Sequence, residues 1–200
     1  MEQPERRRLT VQEYLDLEAV SSDRLEYRGG YAVALATPTG NHGRIATNLL
    51  VSLAPLVRAR GCDLFAGDAK VITPSGDHLI PDFVVTCDPR DKAVLDGSGE
   101  AIIRHPWLIA EILSPSTAED DMSQKLDSYQ SIPELSYYVL VDSRRCSIRL
   151  YTRIEDGSFA SRGPLDELRL PNLIERGVSI EDVYRDTSIP RLGELRSPRI

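Results

Sequence analysis

The sequence predicts an α/β fold with a central mixed β-sheet flanked by helices, preceded by an N-terminal helix and a β-hairpin. Three observations predict it. The runs "WLIAEIL" (107–113) and "SYYVLVD" (136–142) are apolar almost throughout, as strands covered on both faces are. Helix-start signals lie between them, at Pro115, Ser116 and Glu119. A long segment with helical periodicity, from His42 to Gly61, precedes a series of strand-like runs.

Taken in order, "RLTVQEYLDLEA" (Arg8 to Ala19) reads as a short helix, capped by Thr10 with Glu13 three residues on. "RLEYRGGYAVALA" reads as a hairpin turned by Gly29-Gly30. In the long segment, Ile45, Leu49, Leu53, Leu56 and Val57 share one face and Gly61 ends it; Pro55 is expected to kink or interrupt it. "CDLFAGDAKVITP" and "HLIPDFVVTCD" are strands on either side of a turn at Ser75 to Asp77, and "PRDKAVLDGSGE" is a polar loop. Met122, Leu126 and Tyr129 form the apolar stripe of the next helix. "CSIRLYTR" is expected to be an edge partner of the "SYYVLVD" strand, followed by a hairpin at Glu155 to Gly157. "LIERGVSIEDVYRD" should contain a short helix, with a loose tail from about residue 188.

The 200 residues suit one domain, with a core over about 22–153. Apolar content of 41% and charged content of 28% are those of a soluble globular protein. No run is long enough to span a bilayer, and "MEQPERRRLT" has no secretory apolar segment, so a cytoplasmic protein is expected. Cys62, Cys87 and Cys146 show no ligand spacing and are expected to be buried, reduced thiols. The net charge, 24 − 31 = −7, excludes a general nucleic-acid coat protein and leaves room only for local basic patches. The candidates are Arg6 to Arg8, Arg58 with Arg60, and Arg144 with Arg145, each otherwise a solvated face.

Two acids stand where burial is expected. Glu111 lies in the "WLIAEIL" run and shares a face with Ile109 and Leu113. Asp82 follows Pro81, and a proline inside a strand marks an edge, a bulge or a start. A buried lone carboxylate is costly unless it is paired or holds a metal. Two carboxylates on neighbouring strands suffice for Mg²⁺, which takes oxygen ligands and keeps several waters. The alternative for Glu111 is an arginine or lysine partner. Lys125, beside the apolar stripe of its helix, can reach the sheet along its stem; the alternative is a surface pair with Asp121.

With these residues in place, the sequence resembles the Uma-two family of restriction-endonuclease-like proteins, within the PD-(D/E)xK nuclease superfamily. The matching stretches are "LEYRGGYAVAL", "NHGRIATNLL", "LIPDFVV", "LIAEILSPST", "DMSQKLDSYQ" and "LSYYVLVD", in family order, over about residues 10 to 185. The resemblance implies a restriction-endonuclease-like core and hydrolysis of DNA phosphodiesters with Mg²⁺, or Mn²⁺ in its place. Asp82 matches the acid of "PD", Glu111 the second acid and Lys125 the lysine of the following helix. The superfamily lysine usually stands two residues after the second acid, where this chain has Leu113. Glu26 matches the acid of the first hairpin and can complete the metal shell; His42 matches the histidine opening the first long helix, as proton shuttle or substrate contact, or as a helix cap. His78 and His105 are expected in loops. Nucleases of this fold often act as dimers, so a homodimer on double-stranded DNA is expected. The competing readings are a catalytically silent binding module on the same fold, favoured by the acidic charge, and a phosphoesterase for RNA or nucleotides.

Overall fold

The structure is a computed structural model that describes residues 7–92, 99–114, 120–170 and 177–190, with only the backbone at 92 and 120–122. The signals at Pro115, Ser116 and Glu119, the side chains of Asp121 and Met122, Arg6, and the chain from 191 lie outside the described residues.

The chain opens with α1 (Val11–Val20), where Thr10 and Glu13 form the expected capping box. The hairpin follows as β1 (Leu25–Arg28) and β2 (Tyr31–Ala34), with Gly29 and Gly30 at positive φ in its turn. The next elements are α2 (Gly40–Ala59), β3 (Asp63–Ala66), β4 (Lys70–Ile72), β5 (His78–Leu79) and β6 (Phe83–Thr86). Then come α3 (Pro89–Lys92), β7 (Ile102–Ile103), β8 (Pro106–Leu113), α4 (Asp120–Gln130) and β9 (Tyr137–Asp142). The last are β10 (Ile148–Arg153), β11 (Phe159–Arg162), β12 (Glu167–Leu168), β13 (Val178–Ser179) and α5 (Ile180–Val183).

Two mixed sheets carry the fold. One has the strand order β11-β10-β9-β8-β6-β3, the other β2-β1-β5-β4-β7; β12 and β13 form a separate pair. In the larger sheet β8 and β9 run parallel and the remaining pairs antiparallel. Alternation along β8 divides the core. Leu108, Ala110 and Ile112 join Ile45, Leu49, Leu53 and Val57 of α2 on one face. Ile109 and Leu113 join Tyr129 of α4 and Leu79 of the smaller sheet on the other. Helices therefore cover both faces, and the tyrosines Tyr137 and Tyr138 are core residues of β9. No described helix is long and apolar enough to cross a membrane.

Several expectations are corrected. Helix α2 passes through Pro55 without interruption. The missing N–H leaves the carbonyl of Val51 without its helical donor, but Val51 and Pro55 are exposed, so that carbonyl faces solvent rather than the core. Strand β10 is not an edge, because β11 pairs along its outer side. The supposed polar loop opens with the helical turn α3. His78 is buried in β5 against the rings of Tyr14 and Tyr27, and its Nδ1 has no hydrogen-bond partner among the described residues. His105 does lie in a bend, tied to buried Asp91 at 3.0 Å.

Cys62 and Cys87 are not reduced thiols but form a disulfide, while Cys146 is a half-buried thiol. The antiparallel register of β3 and β6 pairs Asp63 with Thr86, so the cysteines one residue further stand opposite each other, Cα to Cα 4.3 Å. Spacing along the chain could not reveal this, because strand pairing sets it. Closing a loop with a sequence separation of 25 should stabilise the fold by about 3–4 kcal/mol. The Cys62→Ser/Cys87→Ser protein is expected to show that loss in urea unfolding. Thiol titration in denaturant without reductant should find one thiol in the wild type; three would remove the bridge from the account.

Candidate active site

Elements β1, α2, β8, α4 and β9, with the loops between them, converge on one cleft of about 340 Å³, lined among others by Arg24, Arg28, His42, Asp82, Glu111 and Lys125. The chain crosses from the smaller to the larger sheet between β5 and β6, at Ile80, Pro81 and Asp82. Proline donates no ladder hydrogen bond, which fits this break. β6 and β8 pair Phe83 with Ala110, so continuing the register sets Asp82 beside Glu111. The Asp82 side chain is tied to β8, because its Oδ2 accepts the backbone N–H of Ile112 at 2.7 Å.

Asp82 is the more open acid, its side chain 25% exposed. His42, in the first turn of α2, places Nε2 3.1 Å from Oδ1 and 3.2 Å from Oδ2 of Asp82. The backbone N–H of His42 donates to Thr39 Oγ1, so Thr39 and not His42 caps α2.

Glu111 is deeper, its side chain 10% exposed. Its Oε1 accepts two bonds of 2.9 Å, from Lys125 Nζ and from the Tyr129 hydroxyl. Burial pushes its carboxyl pKa up; Lys125 opposes that shift, and the negative charges of Asp82 and Glu26 add to it. For Lys125, burial alone would lower the pKa, but Glu111 and Glu26 more than reverse it and the net shift is upward. Lys125 thus stays an ammonium, 3.1 Å from Glu26 Oε1 as well.

Glu26 is fully buried on β1 and its acceptors are taken. Oε1 also receives the Ile80 N–H at 2.8 Å, and Oε2 takes Nε of Arg28 at 2.8 Å and its Nη2. A chain of alternating charge results: Arg28, Glu26, Lys125, Glu111. Each buried charge faces an opposite one, as burial requires.

All five residues singled out in the sequence therefore meet at or beside one cleft. Arg28 and Tyr129 were missed there. Arg28 stands two residues after Glu26, on the same face of β1. Tyr129 stands four after Lys125, on the same face of α4. Those two spacings were the available signals. Of the basic clusters named as candidate patches, each otherwise a solvated face, Arg7 pairs with Glu13, Arg60 lies over Trp107, and Arg144 and Arg145 pair with Asp142. Arg24 and Arg28 are the arginines at the cleft.

The donor set bears on a metal. Among the described residues, no group of three or more His, Cys, Asp or Glu side chains is placed to hold an ion. The cleft instead offers two carboxylates, Asp82 and Glu111. These are hard oxygen donors, as Mg²⁺ or Mn²⁺ requires, and two suffice for an ion that keeps most of its waters. Glu111 Oε2 receives no hydrogen bond among the described residues, which leaves it available to a cation.

The family model described as "Putative restriction endonuclease", Uma2 (the Uma-two family), matches residues 11–182. The chain belongs to this family. Two uncharacterized proteins of Synechocystis sp. are 32% identical to it, one over 76% of this chain and 78% of its own length, the other over 74% and 82%. A crystal structure from Anabaena variabilis, titled a "putative nuclease belonging to DUF820", superposes with a TM-score of 0.71 at 20% identity, covering 88% of this chain and 97% of its own. At that identity the likeness concerns the fold, which is the restriction-endonuclease-like α/β core of this Uma2 protein.

Proposed function

We propose that this Uma2 protein is a metal-dependent nuclease that hydrolyses phosphodiester bonds of double-stranded DNA. The observation that carries the reading is the meeting of Asp82, Glu111, Lys125 and His42 at one cleft. Glu111 lies on β8, Asp82 in the bend that leads into the adjacent β6, and the ammonium on α4.

In this reading Asp82 and Glu111 hold Mg²⁺, or Mn²⁺ in its place. When bound, the ion polarises a phosphoryl oxygen and lowers the pKa of a water. Lys125, held by Glu26 and Glu111, keeps its positive charge beside the reacting phosphate and stabilises the charge that builds there. Glu26 serves as anchor for Lys125, since Arg28 and the Ile80 N–H occupy its remaining acceptors. His42 orients the Asp82 carboxylate and stands at the cleft to relay a proton. Two copies, each cutting one strand, are the assembly that suits a duplex.

The test is cleavage of supercoiled plasmid with millimolar Mg²⁺ or Mn²⁺, the level that suits an ion held by only two protein carboxylates. Nicked and linear products should form with metal and vanish with excess chelator. The folded protein should also melt higher with metal, because a ligand bound only to the native state stabilises it. The absence of both cleavage and a melting shift would end the nuclease reading and leave the silent binding module.

A further inference from the structure

Building on the nuclease reading, we propose that Tyr129 is a positioning residue for the metal: with Lys125 it pins Oε1 of Glu111 and so commits Oε2 to the ion. Three observations on α4 and β8 carry this.

The first is geometric. Lys125 and Tyr129 are one helical turn apart and project from the same face of α4. Both donate to the same oxygen, each at 2.9 Å. Two donors on Oε1 fix the carboxylate plane, and Oε2 carries no bond among the described residues while Glu111 lines the cleft.

The second concerns the hydroxyl. Tyr129 is fully buried, its ring 5.2 Å from that of Tyr138. A phenylalanine would fill the same core position. A buried hydroxyl is costly unless bonded, and this one spends its bond on a carboxylate of the cleft.

The third is that the helix is itself anchored. Ser128, next to Tyr129, donates to Asp77 Oδ2 at 2.6 Å, and Asp77 Oδ1 accepts the Gly29 N–H at 2.8 Å. Gly29 turns the hairpin that carries Glu26. One buried carboxylate thus ties α4 to the hairpin and holds Lys125 in one frame with its anchor Glu26.

The experiment is Mn²⁺ binding to Tyr129→Phe by titration calorimetry and by the metal-dependent rise in melting temperature, alongside cleavage as a function of Mg²⁺ concentration. Losing a group that orients a metal ligand typically costs about 10–100-fold in metal affinity. Tyr129→Phe should therefore bind Mn²⁺ about 10–100-fold more weakly, and its half-saturating Mg²⁺ should rise in step. Its metal-free fold should persist, since only one atom is removed. Tyr14→Phe, which deletes a buried hydroxyl bonded to Glu18 and the Leu25 carbonyl, should bind metal as the wild type does. Equal affinity of Tyr129→Phe and wild type would overturn the proposal. Unfolding of Tyr129→Phe at room temperature would overturn it too, because the hydroxyl would then be a stability group. Absence of metal binding by the wild type would instead bring down the nuclease reading beneath it.

Discussion

The Glu111→Gln and Asp82→Asn proteins are expected to fold and to lose metal-dependent cleavage by more than about 100-fold, beyond the loss expected for a group that merely supports a ligand. The physical case rests on what each amide keeps. A glutamine in place of Glu111 has the same shape and a carbonyl oxygen able to accept from Lys125 and Tyr129, which now share Oε1 at 2.9 Å. Lys125 would retain Glu26 as counter-ion at 3.1 Å. At Asp82, the amide oxygen can still accept the Ile112 N–H that ties it to β8. Packing and hydrogen bonds therefore survive largely intact. What disappears is one negative charge of the pair that faces the cation, and neutral amides are poor ligands for a strongly hydrated ion. Circular dichroism should match the wild type while plasmid nicking and the metal-induced melting shift both collapse. Retained cleavage in either variant would remove that carboxylate from the chemistry.

The parts of this site that were legible in the sequence are those where a residue contradicts its surroundings. Glu111 is the one acid in an apolar run, and Pro81 breaks a strand pattern just ahead of Asp82; both anomalies mark the cleft. Helix α1 was legible because its cap is local chemistry, with Thr10 and Glu13 bonding each other's backbones. What stayed hidden depends on contacts between distant segments. Lys125 could have been a solvated lysine, since nothing near it in the chain reports that β1 brings Glu26 to it. Arg28 and Tyr129 agree with their local patterns, a hairpin strand and an apolar stripe, so no anomaly flagged them. The Cys62–Cys87 bridge depends on the register of β3 against β6, and a shift of one residue would have separated the thiols. The smaller sheet was also illegible, because β5 and β7 have two residues each and gain their order only from their neighbours.

Lys125→Met should cost about 3–5 kcal/mol of stability, the range for breaking a buried ion pair from one side. The methionine fills the space of the lysine stem but leaves two carboxylates facing each other without a cation. Glu26 would still have Arg28 and the Ile80 N–H. Glu111 would keep only the Tyr129 hydroxyl, against burial and the nearby charge of Asp82, which already push its pKa upward. The relief for such a carboxyl is to bind a proton, which also spoils it as a metal ligand. Lys125→Met is therefore expected to lose stability and cleavage together. The double variant Glu111→Gln/Lys125→Met separates the two effects: removing the stranded charge should restore most of the stability while cleavage stays absent. Urea unfolding at neutral pH measures the first quantity and plasmid nicking the second. If Lys125→Met unfolds at the wild-type urea midpoint, the four-charge chain contributes nothing that its geometry suggests. If the single variant cleaves DNA at the wild-type rate, the ammonium has no part in stabilising the transferring phosphate.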